Sequence, residues 1–439
     1  MTYSEAVARL YALGHELHAT PAAKFDLAHM RVLAAALASP QTRFRSVLIA
    51  GTNGKGSTAA TLASILRAAG HRTALYTSPH LVRINERIRV DGVPISDDDF
   101  AASYVRIDAV ANDLVAAGKL PSRPSFFEMM TAIAFEHFAR AGVQIAVLEV
   151  GMGGRLDATN IVDPIVSVIT DISLDHQKYL GNTIAEIARE KAGILRADTP
   201  AVLLPQHPQA NDVLGRAVMD TDARAVSATA YMPPVTPGSE TASGDAPYTV
   251  SAMGQEITIA PPLHGRHQLR NTALAIAAAI ELNSLGIAIS PQAIERGVRD
   301  TRWPGRLQVI PGSPEILFDV AHNPDGAWAL RAALSHMYPD KKIVMLFGAM
   351  RDKAVEEIAS VLFPLAATVV ATHADNPRAA TVQEIAQAGR RTGAEIVEEA
   401  VVAKALERAR ELAGAEGVVV ITGSIYLVGE AMRLMDIQP

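Results

Sequence analysis

A lysine set among glycines, directly after a run of apolar residues, is an arrangement that can grip phosphate. Here Val47-Leu-Ile-Ala50 reads as a buried strand and leads into Gly51-Thr-Asn-Gly-Lys-Gly-Ser57, after which a helical pattern runs to Ala69. Glycines let backbone N–H groups turn toward a phosphate with no Cβ in the way. The start of the helix adds its partial positive charge. Thr52, Asn53, Gly54, Lys55, Gly56 and Ser57 therefore form a candidate nucleotide loop, with Lys55 on the outer phosphates and the Ser57 hydroxyl on Mg²⁺. The fit to the general pattern is incomplete: its first glycine would fall at Ile49, and Gly56 separates Lys55 from Ser57. A glycine-rich turn with a solvated lysine is the competing reading, and the strand–loop–helix context favours nucleotide binding.

Other chemistry-bearing residues also follow apolar runs. Glu149 ends Ile145-Ala-Val-Leu-Glu-Val150 and precedes Gly151-Met-Gly-Gly-Arg-Leu-Asp157. Open parallel sheets bind ligands beyond the carboxyl ends of their strands, so an acid there suits a metal held by nucleotide phosphates. A dinucleotide fingerprint fits poorly, because its third glycine would fall at Leu156. Leu174-Asp175-His176 follows another run, on the same expected sheet edge, although Mg²⁺ prefers oxygen ligands. Lys191, near the end of a helical pattern, reads on its own as a solvated cation complementing the helix dipole. Farther on, Leu317-Phe-Asp319-Val-Ala-His322-Asn-Pro324 repeats the strand-end arrangement, and Asp319 and His322 could converge on one ligand. Arg306, after Trp303-Pro304-Gly305, is a cation at a junction, where it could brace a transferring phosphoryl group. Ser424, in Thr422-Gly-Ser424, could complete an amine-side pocket.

Apolar runs alternate with helical periodicities from about Ser46 onward, which implies α/β architecture with parallel sheets covered on both faces. At 439 residues the chain is long for one core, and the punctuation near Trp303 divides it. We expect a P-loop ATPase-type domain over 1–300 and a smaller Rossmann-like α/β domain over 301–439. Between Pro205 and Pro262 the composition turns rich in Pro, Gly, Ser and Thr and reads as loops with a small antiparallel piece. The chain has no cysteine, which excludes disulfides, thiolate metal sites and thioester chemistry. A net charge of −6 gives no argument for nucleic acid or membrane. The apolar stretches stop short of the roughly 20 residues a membrane span needs, and the N-terminus lacks the order of a signal peptide. We therefore expect a soluble, cytoplasmic protein.

Taken in order, Gly51-Thr-Asn-Gly-Lys-Gly-Ser57, Ser78-Pro-His-Leu81, Glu149-Val-Gly-Met-Gly-Gly-Arg-Leu-Asp-Ala-Thr-Asn160, Leu174-Asp-His176, Arg189-Glu-Lys-Ala-Gly193 and Asp319-Val-Ala-His-Asn-Pro324 resemble the dihydrofolate synthase/folylpolyglutamate synthase group of the Mur ligase family. The resemblance spans nearly the whole chain. It implies an ATP-dependent ligase that activates a carboxylate as an acyl phosphate and joins it to glutamate, with ATP and Mg²⁺, between the two domains. By the same resemblance Ser57, Ser78, Glu149 and His176 serve Mg²⁺, and Lys191 matches a lysine carried as a carbamate. Asn271, Arg306 and Asp319 match ATP-binding positions, and His322 a position near the reacting groups. Asp26, Leu27 and Arg31, with Ser125, Phe127 and Glu128, resemble the dihydropteroate-binding elements, where Phe127 offers an aromatic face to a pterin. Leu156, Asp157 and Ser424 are further substrate-binding candidates, Ser424 on the amine side.

The resemblance implies small-molecule partners only (dihydropteroate or reduced folate, L-glutamate and ATP) and a monomer. Two other readings stay open at this stage. A peptidoglycan Mur ligase would be expected to carry a nucleotide-sugar domain ahead of the P-loop. An ATP-hydrolysing regulatory or binding protein would have no evident use for Asp319 and His322.

Overall fold

The computed structural model describes residues 1–14, 27–233 and 246–438. An eight-stranded sheet carries the first part of the chain. Its strands are β1 Arg45–Ala50, β2 Thr73–Tyr76, β3 Ile88–Val90, β4 Val93–Pro94, β5 Ile145–Glu149, β6 Val166–Ile169, β7 Pro200–Leu203 and β8 Arg224–Ser227, in the order β4-β3-β2-β5-β1-β6-β7-β8. The six strands from β2 to β8 in that order run parallel, while β3 and β4 add an antiparallel edge.

Side-chain alternation decides how the sheet is covered. Leu48 and Ala50 of β1 join one core, packed with Phe100, Ile107, Phe135 and Phe138 from helices Asp97–Ala116 and Phe126–Arg140. Val47 and Ile49 point the other way, into a core with helices Lys55–Ala68, Arg266–Ser284 and Pro291–Arg299. A strand buried on both faces reads as an unbroken apolar run, which is why Val47-Leu-Ile-Ala50 was legible.

Register then fixes what sits at the functional edge. Ile49 of β1 lies opposite both Glu149 of β5 and Val168 of β6. The loop after β1, the acid ending β5 and the segment after β6 therefore emerge side by side.

The segment from Pro205 to Pro262 departs in part from expectation. A hairpin of β9 Tyr248–Ala252 and β10 Gln255–Ile259 is antiparallel, as read. Its turn residues Met253 and Gly254 both have positive φ, which suits a tight hairpin turn. However, helix Pro208–Asp220 and strand β8 lie in the same stretch. Pro208 at the first helical position and His207 capping Gln209 N–H start that helix, and Ala210 and Leu214 bury its inner face.

The second sheet contains β11 Gln308–Ile310, β12 Glu315–Phe318, β13 Ile343–Phe347, β14 Thr368–Ala371, β15 Glu395–Glu398 and β16 Val418–Thr422, in the order β11-β12-β16-β13-β14-β15. All but β11 are parallel. Leu317, Met345 and Phe347 face one core, and Ile316, Phe318, Val344 and Leu346 the other. Asp319, Gly348 and Gly423 thus follow three neighbouring strands at one edge. Among the described residues no helix is long and apolar enough to cross a membrane.

Candidate active site

The carboxyl edges of the two sheets meet around one cavity of 1240 Å³, lined by Lys55, Glu149, His176 and Lys191 from the first sheet's side and by Arg306, Asp319 and His322 from the second's. Pockets for single small ligands span roughly 300–1,000 Å³, so this space accommodates a nucleotide together with a second substrate.

The loop after β1 is shaped by what touches it. Asp171 O accepts the N–H groups of Thr52 and Asn53 at 2.8 and 3.2 Å, tying the loop to the segment after β6. Gly54 caps helix Lys55–Ala68 with φ of 87°, and a Cβ on it would stand 2.1 Å from Asn271 Oδ1. Glycine is required there on both counts. Asn271 itself is buried and donates to Gln268 Oε1 at 2.8 Å. Gly56 packs against the Trp303 ring, and Ser57 is buried in the first helical turn. Lys55 donates to Thr52 O at 3.0 Å, and burial pulls its ammonium below the usual lysine range despite Glu149 and Asp175 nearby.

Glu149 is buried, and its Oε2 accepts Ser78 N–H at 3.2 Å. Burial raises its carboxyl, with Lys55 the main opposing influence. His176 adopts a left-handed backbone with φ of 51°, a conformation a non-glycine residue keeps only where surroundings enforce it. Burial lowers its imidazole to about 3, so the ring is neutral with a lone pair available to a metal. Asp157 accepts Met152 N–H and Thr159 N–H, each at 3.0 Å, and burial raises its carboxyl.

Lys191 corrects the solvated reading. It is 4% exposed, and its Nζ donates to Gly51 O at 2.6 Å, against the nucleotide loop itself. Burial, then the Lys55 charge, brings its amine down to about 7.

On the facing side, Asp319 accepts Leu307 N–H at 3.1 Å and Ala321 N–H at 2.9 Å. Burial raises its carboxyl, opposed by Arg306 and His267. Burial lowers the Arg306 guanidinium, and the carboxylates of Asp319 and Glu149 sustain it. His322 Nδ1 lies 2.9 Å from Val320 O and donates to it, while Nε2 lies 3.4 Å from Asp175 Oδ2.

The remaining expectations divide. Leu27, Ser125, Phe127, Glu128, Leu156 and Ser424 line the cavity. Ser125 and Glu128 also form a capping box for helix Phe126–Arg140, with Ser125 Oγ donating to Glu128 Oε2 at 2.7 Å. Their polar atoms are thus engaged locally. Phe127 packs on Gly151, where a Cβ would stand 2.4 Å from its ring. Ser424 is buried and caps the next helix by accepting Tyr426 N–H at 3.1 Å. Arg31 is exposed and does not line the cavity. Asp26 lies outside the described residues.

Several cavity residues escaped the sequence reading. Arg270 pairs with Asp171 at 2.6 Å, and His267, Lys353 and Trp328, which also line the cavity, were missed, as was Asn323 beside it. Asp171 lies just beyond the end of β6, so the strand-end rule applied to Glu149 would have found it.

Comparison with known proteins places this geometry. The Mur ligase middle domain matches residues 125–279 and the Mur ligase glutamate ligase domain residues 305–425. The chain is 37% identical over 443 residues to the dihydrofolate synthase/folylpolyglutamate synthase of Mycobacterium tuberculosis, covering 94% of this chain and 91% of that one. The chain belongs to the dihydrofolate synthase/folylpolyglutamate synthase family of Mur ligases. It is also 37% identical over 440 residues to a Haloferax volcanii protein named a probable bifunctional folylpolyglutamate synthase/dihydropteroate synthase, covering 98% of this chain but only 50% of that longer protein. A solved bifunctional folylpolyglutamate synthase/dihydrofolate synthase from Yersinia pestis, complexed with AMPPNP and Mn ion, superposes with a TM-score of 0.83 at 29% identity, covering 100% of this chain and 98% of that one.

Proposed function

We propose that this ligase joins L-glutamate both to dihydropteroate and to reduced folates, through an acyl phosphate formed in the cavity between its two sheets. The observation that carries this reading is the convergence of Lys55 and Glu149 from one sheet with Arg306, Asp319 and His322 from the other around one space. A phosphate loop alone would serve many ATPases. The facing cluster gives the phosphoryl group a place to go.

An amide does not form from a carboxylate and an amine at neutral pH without activation. The acid's carboxylate oxygen attacks the ATP γ-phosphorus, the bond to ADP breaks, and an acyl phosphate results. Lys55 and Arg306 face the charge that develops, in a site whose burial strengthens their effect. The neutral amine of glutamate then attacks the acyl carbon and inorganic phosphate leaves. His322 or Asp319 orients that amine. Asp319 is held by two backbone N–H groups and so presents a fixed carboxylate.

Ser57, Ser78, Glu149 and His176 are the groups that would hold Mg²⁺. The fit rests on their chemistry: hydroxyl and carboxylate oxygens, a neutral imidazole and one common cavity. Among the described residues no three His, Cys, Asp or Glu side chains gather as a complete metal cage, and Mg²⁺ ordinarily completes its shell with water and substrate phosphates. When bound it neutralises phosphate charge. Lys191, as a carbamate, would add an anion beside the nucleotide loop. Its buried amine near Gly51 O supports that reading.

At the other end, Leu27, Phe127, Leu156 and Tyr179 give the cavity an apolar and aromatic wall suited to a flat pterin. We read residues 1–300 as the nucleotide-binding part and 301–439 as the glutamate-ligase part. One chain supplies both walls of the cavity, which supports a monomer acting on small molecules in the cytoplasm, without nucleic acid or membrane.

Oxygen transfer tests the chemistry. With carboxyl-¹⁸O dihydropteroate, Mg-ATP and glutamate, one labelled oxygen should appear in the phosphate released for each amide formed. Amide formation without label in the phosphate would exclude the acyl phosphate.

A further inference from the structure

Asp175 immediately precedes His176, whose backbone N–H donates to its Oδ1 at 2.8 Å and whose Nε2 lies 3.9 Å from its Oδ2, and the same carboxylate also reaches into the second domain. Its Oδ1 pairs with Lys353 Nζ at 2.5 Å, and its Oδ2 lies 3.4 Å from both His322 Nε2 and Asn323 Nδ2. These three partners come from beyond Arg306 in the chain. The side chains of Asp175 and Lys353 are only 7% and 10% exposed.

Asn323 extends the cluster to the nucleotide loop. Its Nδ2 donates to Asn53 Oδ1 at 3.0 Å, while Asn53 Nδ2 faces Asn323 Oδ1 at 3.4 Å. The same Oδ1 accepts Gly326 N–H at 2.8 Å and so caps helix Pro324–Met337. One amide thus touches the phosphate loop, the Asp175 carboxylate and the start of a helix in the facing domain.

A buried ion pair is a poor way to gain stability, since desolvating two charges consumes most of what their attraction returns. A role in fixing register accounts better for a pair that spans two domains beside the reacting atoms. Lys353 sits in the loop following β13 and His322 in the loop following β12, on different strands of one sheet. Only when that sheet is seated against the first can both reach one carboxylate.

We propose that Asp175 is a positioning residue whose buried carboxylate gathers Lys353, His322 and Asn323, so that seating the second domain and aiming the His322 ring are one event. Lys353 is the cation of this latch. The Asn53–Asn323 amide pair links it to the nucleotide loop. The inference rests on the ligase reading for the role of His322, whereas the latch itself is a matter of domain contact.

The test uses the full chain with Asp175→Asn, Lys353→Met, their double variant and Lys353→Arg. Loss of the latch misplaces a group at the reaction centre, for which about a 100-fold loss of rate is the expected scale. We expect kcat to fall by roughly that factor in both single variants while the KM for ATP stays within about threefold. The double variant should be no slower than the worse single, because both remove one contact. Lys353→Arg should recover part of the rate, since it keeps the cation. Amide hydrogen exchange of residues 319–324 should quicken in both single variants, and this readout requires no acid substrate. If wild type ligates neither acid while exchange still quickens, the ligase reading fails and the latch stands. Unchanged exchange together with kcat within twofold of wild type overturns the latch. So do additive losses in the double variant, or losses that disappear when the assay temperature is lowered to offset reduced stability.

Discussion

Lys191 offers a calculable test of how the site is charged. Its amine titrates at about 7, whereas an unperturbed lysine titrates near 10.4. At pH 7 about half of the Lys191 amines are therefore neutral, against about one in 2,500 for an ordinary lysine. Only the neutral amine adds CO₂: the nitrogen lone pair forms the N–C bond, one proton leaves, and a carbamate anion replaces a cation. Raising the pH from about 6 to about 8 lifts the neutral fraction from about a tenth to about nine-tenths. Under ¹³C-bicarbonate, wild type should show one lysine carbamate resonance that grows through this window. Lys191→Arg should lose that resonance, and its kcat should fall on the order of 10- to 100-fold, the scale seen when groups supporting a metal are removed. The reasoning fails if wild type shows no carbamate resonance near pH 8 with saturating bicarbonate, or if the resonance persists in Lys191→Arg.

Other consequences follow from the same geometry. Because the native state holds fewer protons on Lys191 than the unfolded chain between about pH 7 and 10.4, stability should rise with pH across that window. Urea midpoints measured along it should rise more steeply for wild type than for Lys191→Met, and equal slopes would contradict the burial argument. Lys55→Ala should abolish acyl phosphate formation with little change in thermal midpoint, and wild-type turnover would remove the nucleotide-loop assignment. Gly54→Ala forces a left-handed alanine, costing about 1–2 kcal/mol, and drives its Cβ into Asn271. The KM for ATP should rise while the KM for glutamate holds, and an unchanged KM for ATP refutes the close approach. Phe127→Ala should raise the KM for dihydropteroate up to about tenfold, the equivalent of about 1.4 kcal/mol of lost aromatic contact. Unchanged binding of that acid would remove Phe127 from the pterin wall.

What the sequence disclosed follows from what leaves a one-dimensional trace. Strands buried on both faces appear as unbroken apolar runs, so β1, β5, β13 and β16 were legible, and with them the residues at their carboxyl ends, Lys55, Glu149 and Ser424. Helix Pro208–Asp220 was not, because only Ala210 and Leu214 of its inner face are fully buried and its setting is rich in turn-forming residues. Lys191 was misread by local physics for a different reason. Its helix position resembles that of any dipole-complementing cation, and only the fold reveals that its amine ends against Gly51 O. The latch was invisible for the same reason: Asp175 and Lys353 lie 178 residues apart, and nothing local to either announces the other. Arg31, named from a short motif, is exposed and does not line the cavity among the described residues.

The central claim is that one cavity couples ATP to an acid and an amine, and the dependence of phosphate release on substrates tests it most directly. Mg-ATP would be supplied with glutamate alone, with each acid alone, and with glutamate plus either dihydropteroate or tetrahydrofolate. Sustained phosphate release should occur only when both an acid and glutamate are present, and it should occur with either acid. Steady release without any acid, or none with either acid from a folded protein that binds ATP, would contradict the assignment.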